Sequence, residues 1–332
     1  MYWVNMKVLV TGAGGFIGKN LVEKLLEQGH DVKSLVYSEK EEEKHFLQEL
    51  GSETVIGDIT DKETLEGISE DVEVVINLAA QRRGWESDEN TAKEVNVHGT
   101  ENILDECIEN NVDHFIHCST SSIIGPVEDE PLDESSEKRD TSRVYYRTKL
   151  QGDRKVIDRM DEINATIVLP PLVYGPHDEH HLPLFEAVKE KKIHFVGKGD
   201  NLFQPTYIDD CTNGFIMCMK NEDAYGERFI IANDTPRSTK DIIYAIADSA
   251  DVDINPIHFP RSISWIGYHV LETAGNILGF KPPLTRRVYD WFTENHFFDV
   301  SKAKEVLGFQ PRYSLEEGIE ETVEWYEENG WL

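Results

Sequence analysis

No run of about 18 or more apolar residues occurs in this chain of 332 residues, so nothing in it reads as a membrane-spanning helix. The apolar stretch near the start, Val8-Leu9-Val10, is too brief for a secretory leader and reads as a strand. Cysteine is scarce. Cys107, Cys118, Cys211 and Cys218 stand without metal-ligand spacing and without the density of a disulfide framework. Such thiols point to a reducing compartment, and the expectation is a cytoplasmic protein with no membrane partner. Basic residues are few, 33 against 63 acids, for a formal net charge of −30. A phosphate backbone needs a basic face, so nucleic acid is not an expected partner.

What is present is concentrated in a glycine-rich turn. Directly behind Val8-Leu9-Val10 comes Gly12-x-x-Gly15-Phe16-Ile17-Gly18. A buried strand that ends in closely spaced glycines and opens a helix brings bare backbone and free N–H groups to a pyrophosphate. The spacing differs from the general G-x-G-x-x-G fingerprint. Strand patterns at 6–10, 31–36, 53–56, 72–77, 112–118 and 163–168 alternate with helical patterns at 16–28, 61–68, 90–110 and 142–160. That alternation predicts an α/β fold with a doubly wound parallel sheet. After Pro170-Pro171 the rhythm breaks into short strands and helices near 209–220, 238–249, 262–278 and 314–328. The expected organisation is a dinucleotide-binding domain over 1–170 and a smaller substrate lobe over 171–332, with some elements returning to the first.

Two further clusters carry chemistry. In Tyr145-Tyr146-Arg147-Thr148-Lys149, residues four apart share a helix face. A lysine ammonium beside a phenol favours phenolate, so the Tyr145 pKa is expected below its usual value of about 10, fit for general acid/base work. Ser119-Thr120-Ser121-Ser122 follows the fifth strand, where a hydroxyl can hydrogen-bond a reacting oxygen. The run His177-Asp178-Glu179-His180-His181 offers adjacent residues that do not converge on one ion, and no metal is expected.

Together these motifs resemble the extended short-chain dehydrogenase/reductases of the NAD-dependent epimerase/dehydratase family. Gly57-Asp58-Ile59, Asn77-Leu78-Ala79-Ala80, Val95-Asn96-Val97, Val173-Tyr174-Gly175-Pro176, Tyr207-Ile208-Asp209-Asp210 and Leu307-Gly308-Phe309 extend the likeness over nearly the whole chain. The resemblance implies that Gly12, Gly15 and Gly18, with Phe16 and Ile17, hold the pyrophosphate. Asp58 and Ile59 would meet the adenine, and Leu78, Ala79, Ala80 and Pro170 would line the cofactor groove. Asn96 would brace the central helix. Thr120 and Tyr145 would be catalytic, with Lys149 also holding the nicotinamide ribose. Gln81, Ser121, Ser122, Leu172, Val173, Phe203 and Arg286 would face the substrate. A homodimer through the helices near 90–110 and 142–160 is implied, with Val95, Ile103, Val144 and Ile157 as its apolar positions.

The departures narrow the reading. Relatives that dehydrate sugars carry carboxylates where this chain has Ser121 and Ser122, which disfavours elimination. Nucleotide-sugar members carry arginine, asparagine and arginine where Leu169, Leu172 and Phe203 stand here, and apolar side chains cannot grip a diphosphate. Arg286, Arg287, Lys198 or His177 would have to compensate. The stretches 200–205 and 282–298 are more similar to the hydroxysteroid-dehydrogenase-like and flavonoid-reductase-like branch. The second strand ends in Val36-Tyr37-Ser38, with neither the aspartate of NAD-selective members nor the arginine of NADP-selective ones. Cofactor contact is expected at Tyr37 and Ser38, and Glu39, Glu41, Glu42 and Glu43 would repel a 2′-phosphate, which points to NAD. The expected function is hydride transfer at a secondary alcohol or ketone. A UDP-hexose 4-epimerase with no net redox change is the alternative, and a non-catalytic NAD(P)-sensing protein is the remote one.

The acid surplus itself reads either as the solubilising surface of a protein from a salt-rich cytoplasm or as an ordinary solvated face. Thermal melts in high and low salt separate the two: the first reading expects stability to drop as salt is removed, and salt-independent melting rejects it.

Overall fold

The computed structural model describes residues 5–37, 41–82, 88–136, 143–280, 282 and 284–332. At its centre lies a parallel sheet of seven strands: β1 (Lys7–Thr11), β2 (Asp31–Val36), β3 (Glu53–Ile56), β4 (Val74–Asn77), β5 (His114–Cys118), β6 (Ala165–Leu169) and β7 (Arg228–Ile230). Their order is β3-β2-β1-β4-β5-β6-β7. The winding reverses between β1 and β4, and in such sheets the crevice at the carboxyl ends of those two strands is where ligands bind.

The strands are apolar on both faces because helices cover both. Val8, Val10 and Ile76 point into one core with Leu21, Val22 and Leu25 of α1 (Phe16–Glu27). Leu9, Val75 and Phe115, one residue out of step, point into the other. That second core takes Ile103 and Leu104 from α4 (Thr100–Glu109) and Leu150 and Val156 from α5 (Val144–Ile157). The helix α2 (Glu41–Glu49) follows β2 and buries only Leu47. Ahead of α4, α3 (Glu89–Lys93) runs into a π-helical turn, Glu94–Gly99. The turn presses the Asn96 carbonyl against α5 at Gly152, where any Cβ would collide with that oxygen.

Two expectations change. The pattern at 61–68 yields only one 3₁₀ turn, Lys62–Thr64, capped by Asp61 and followed by Gly67 at φ 75°. With Leu65 and Ile68 alone to bury, the segment is too short to nucleate a helix. Ile103, expected on a dimer surface, is fully buried in the chain's own core, while Val95 and Val144 are half-buried and Ile157 is 43% exposed.

The C-terminal half builds its lobe from two-residue ladders. Val173–Tyr174 pairs with Thr206–Tyr207, Leu202–Phe203 with Arg237–Ser238, and Phe195–Val196 with His258–Phe259. The helices of this half are α6 (Leu182–Lys189), α7 (Ile208–Cys218), α8 (Thr239–Ser249), α9 (Arg261–Leu278), α10 (Arg286–Trp291), α11 (Ser301–Leu307) and α12 (Leu315–Glu328), of which α7 returns to pack on α1 and β6 and α11 on β7. Capping boxes open α8 (Ser238 with Asp241) and α12 (Ser314 with Glu317). The Tyr207-Ile208-Asp209-Asp210 motif is a fastener. Lys24 of α1 reaches the Asp209 carboxylate at 3.0 Å, and Asp210 accepts the backbone N–H groups of Arg312 and Tyr313. Among the described residues, no helix is long and apolar enough to cross a membrane.

Candidate active site

The glycine turn leaves β1 through Gly12, whose φ of 64° suits glycine and whose missing Cβ lets the Ala79 backbone nitrogen approach; a Cβ would lie 2.8 Å from it. A Cβ at Gly18 would collide with the Gly12 carbonyl, so α1 packs directly on the turn. Gly15 is the N-cap and offers no side chain to the helix start. The N–H groups of Phe16 and Ile17 therefore remain for an external anion, reinforced by the helix dipole. These features fit a dinucleotide pyrophosphate.

The opposite wall follows β4. Leu78 and Ala79 donate their N–H groups to the Thr11 carbonyl and Thr11 Oγ1, both at 3.2 Å. Ala80 is exposed. Gln81 donates its N–H to Asn96 Oδ1 at 2.7 Å, and Asn96 Nδ2 donates to the Gln81 carbonyl and Thr148 Oγ1. Asn96 thus locks the cofactor-side loop to α5. Tyr37 is exposed at the end of β2, whereas Ser38 lies outside the described residues. Asp58 spends one carboxylate oxygen on the Thr60 N–H and hydroxyl. Ile59 is only 7% exposed because it fills the space above Gly99, leaving little side chain for an adenine to meet.

Thr120 caps the turn Ser121–Ile123, its Oγ1 accepting the Ser122 N–H at 3.3 Å. The buried Ser121 donates its N–H to the carbonyl of Pro170, itself buried just past β6. Tyr145 and Lys149 lie one turn apart on α5, but the ammonium does not serve the phenol as expected. Lys149 is 1% exposed, and its Nζ lies 3.4 Å from His117 Nε2. That nitrogen lies 3.5 Å from Asp153 Oδ1, and Asp153 Oδ2 accepts from Ser119 Oγ at 2.9 Å. Burial pushes the Tyr145 phenol up to about 12, with Arg82 the cation that opposes the shift. Burial also lowers Lys149, against the pull of Cys118 and Asp153. Burial works to raise Asp153, but His117, Lys149 and Ser119 outweigh it and hold the carboxyl below its usual value.

His117 and Asp153 were not anticipated as site residues. Asp153 carried a signal, standing four residues beyond Lys149 on the same helix face. His117 continues a row of polar side chains across the sheet. Thr11 Oγ1 and Asn77 Oδ1 are 2.6 Å apart, and Asn77 Nδ2 lies 3.2 Å from His117 Nδ1.

On the substrate side, Leu172 and Ser122 are half-buried and Val173 is held in its ladder. Phe203 is buried, its ring stacked on His296 at 5.3 Å and 5.8 Å from Trp291. Arg286 points outward, 63% exposed and 3.5 Å from Asp290. Its neighbour Arg287 contacts His180, and both feel the charge of Arg82. Arg143 bonds Asp290 and reaches the Tyr146 hydroxyl at 3.2 Å. Arg286, expected to face the substrate, thus points away, whereas Arg82 lies close enough to Tyr145 and Arg287 close enough to Tyr146 to act on them electrostatically. The histidine run separates: His177 packs on Trp325, His180 meets Arg287, and His181 bonds Asp178 at 2.6 Å.

Burial lowers both His114 and His117 to about 4. Their unfolded value is about 6.5. The stabilisation from keeping them neutral is full above that pH and is lost as pH falls from about 6.5 through 4, on the order of 3 kcal/mol for each. Urea midpoints should drop between pH 7.5 and 4.5, and His114→Gln, remote from the cofactor crevice, should flatten the drop. Midpoints that do not move over that range would contradict the assignment.

The model of the NAD dependent epimerase/dehydratase family matches residues 8–232. The chain is 27% identical to 2-alkyl-3-oxoalkanoate reductase of Stenotrophomonas maltophilia (strain K279a), over 95% of this chain and 97% of that one. It is 29% identical to the decarboxylating sterol-4-alpha-carboxylate 3-dehydrogenase of Schizosaccharomyces pombe (strain 972), over 96% of each. Among solved structures, UDP-glucuronic acid 4-epimerase from Bacillus cereus in complex with UDP-glucuronic acid and NAD superposes with a TM-score of 0.77 at 25% identity, over 98% of this chain and 100% of that one. The chain belongs to the NAD-dependent epimerase/dehydratase family and is an enzyme of its oxidoreductase or epimerase type.

Proposed function

We propose that the protein is an NAD-dependent dehydrogenase/reductase acting on a 3-hydroxy or 3-oxo carboxylate with a large apolar body. The observation that carries this reading is the pairing of an apolar wall, in which Leu172 and Trp291 line one cavity and Phe203 packs on Trp291, with two cations, Arg82 near Tyr145 and Arg287 near Tyr146 and His180. The two relatives are named for substrates that share this chemistry, an oxygen function one carbon away from the carbon bearing a carboxylate. In the proposed reaction Tyr145 Oη takes the hydroxyl proton, or returns it, and Thr120 Oγ1 orients the same oxygen. Arg82 and Arg287 hold the carboxylate, a geometry for which guanidinium is suited. Lys149, one turn on from Tyr145 and buried against His117 and Asp153, would hold the nicotinamide ribose. A bound nicotinamide supplies or accepts the hydride. The lobe over 171–332 contributes the apolar wall, and the first 170 residues contribute the cofactor crevice.

A UDP-hexose 4-epimerase is the second reading, favoured by the same arginines, which could grip a diphosphate. The test incubates the protein with NAD and, separately, a 2-alkyl-3-hydroxyalkanoate and a panel of UDP-hexoses, following reduced cofactor and sugar products. Reduced cofactor with the hydroxy acid alone supports the dehydrogenase. A new sugar epimer without reduced cofactor replaces it with the epimerase. Tyr145→Phe should cut turnover by about 10²–10⁴-fold while NADH still binds; an unchanged rate removes the mechanism.

NAD is proposed over NADP because of Glu43. Gly14 stands so close to this side chain that a Cβ there would lie 2.7 Å from Glu43 Cδ. The carboxylate accepts ribose hydroxyls and repels a 2′-phosphate. Glu43→Ala should narrow the NADH-to-NADPH affinity ratio by about tenfold, roughly 1.4 kcal/mol, in a fluorescence titration. An unchanged ratio places selection elsewhere. The reading also includes a cytoplasmic homodimer joined through α4 and α5, for which equilibrium sedimentation is the check.

A further inference from the structure

Among the described residues twelve large apolar side chains are exposed, and nine of them lie between Ile257 and Phe280. This segment is built around α9, and the helix is turned the wrong way for a soluble protein. Its inward face carries Ser264, 4% exposed, with Tyr268 and Gly275. A Cβ at Gly275 would lie 2.7 Å from the Phe280 carbonyl, so that face packs closely. The opposite pole carries Ile263, Ile266, Val270 and Ile277, at spacings of three, four and seven, with exposures of 58–77%. A surface helix normally aims its apolar stripe at the core. Here the stripe faces out.

The charge of the segment is as unusual as its polarity. From Phe259 to Tyr289 the sequence carries one acid, Glu272, against four bases, in a chain of net charge −30. Arg261 and Arg286 are 50% and 63% exposed, each in a surface ion pair, with Asp200 and Asp290 respectively, that binds it only weakly. A second copy does not satisfy this face. The other exposed large apolar residues, Tyr37, Ile56 and Ile157, belong to separate elements far apart in the chain. A twofold contact would have to set the patch, with its arginines, against itself. An acidic surface of another copy would match the charge and leave the apolar pole in water. An anionic bilayer meets both demands, taking the isoleucines below its headgroups and the exposed Arg261 and Arg286 at them, with Trp265 at the boundary. The 18-residue helix is about 27 Å long and lies along such a surface rather than through it.

We propose that α9 and its flanks dock the protein peripherally on an anionic phospholipid bilayer. This goes beyond the proposed reaction, and it replaces the sequence-based expectation of no membrane partner. The rest of the acidic surface is repelled by such a bilayer, so the approach is oriented as well as attractive. The inward face of the docked helix packs toward the substrate side. Tyr268 of α9 lies 5.1 Å, ring to ring, from Tyr289 of α10, and α10 carries both Arg287 and Trp291. A lipophilic substrate leaving the bilayer there would enter beside the apolar wall.

The test is flotation of the full chain with phosphatidylcholine vesicles, with and without about 30% phosphatidylglycerol, and with no cofactor or substrate present, so that its result stands apart from the reaction. The wild type is expected to float with the anionic vesicles at least ten times more than with the neutral ones. The double variant Ile266→Glu/Val270→Glu is expected to lose at least tenfold of that binding while its NADH affinity is unchanged, which reports an intact fold. Raising salt from about 0.1 to 1 M shortens the screening length from about 10 to 3 Å and should weaken binding to the anionic vesicles. The proposal is overturned if the wild type stays unbound. It is overturned equally if the double variant floats as the wild type does, or if the wild type sediments as a dimer that this variant splits, since a second copy then covers α9.

Discussion

Four polar side chains with almost no access to water, Thr11, Asn77, His117 and Lys149, join the crevice at the strand ends to the helix that carries Tyr145. They occupy corresponding positions on adjacent strands, Thr11 opposite Asn77 and Asn77 opposite His117, so the sheet register itself sets the row. Lys149 from α5 closes it, and Asp153 one turn on accepts the charge. A buried ammonium is tolerable only with such partners, and removing one would strand the rest. The sheet therefore has to form in this register for α5 to seat. Once α5 is seated, Tyr145 has one place to be.

Asn96 performs the matching task on the other side of α5. Its amide joins the Gln81 backbone to Thr148, and its carbonyl fills the gap left by Gly152. A regular α-helix would carry the chain past this point with Asn96 turned away. The π-helical turn at Glu94–Gly99 brings it back. The loop after β4 and the helix bearing Tyr145 and Lys149 are thus fixed to each other by one residue.

Much of this was legible in the chain, for reasons that differ by residue. The glycine turn and the Tyr145/Lys149 pair are local patterns, complete within seven and five residues. The strands read well because they are buried on both faces and alternate with helices. β7 was missed because three residues, Arg228–Ile230, carry no periodicity of their own. Glu43 stands in the acidic run expected to repel a 2′-phosphate, but its approach to Gly14 and the place of Arg82 near Tyr145 were not legible, since both depend on which loop or helix returns to the crevice. The helix α9 was anticipated over 262–278, but its orientation was not. An amphipathic pattern has the same period whether its apolar stripe faces the core or the solvent. The expected drop in the Tyr145 pKa failed on a similar point, because spacing placed the ammonium on the right face and not beside the phenol.

The arrangement of charge bears on how an anionic substrate would be recognised. A surface of net charge −30 repels it nearly everywhere. The cations near Tyr145 and Tyr146, namely Arg82, Arg143 and Arg287, form one exception. Of these, Arg143 is committed to Asp290 and the Tyr146 hydroxyl. In dilute salt the potential would funnel an anion toward the remaining pair. In concentrated salt the screening length falls to about 3 Å, and distant charges neither repel nor steer. Recognition then depends on direct contact, where arginine has two parallel donors to offer a carboxylate and lysine has a single point charge. Arginine at this site works in both regimes, so the acid surplus of the surface and the cations of the crevice do not conflict.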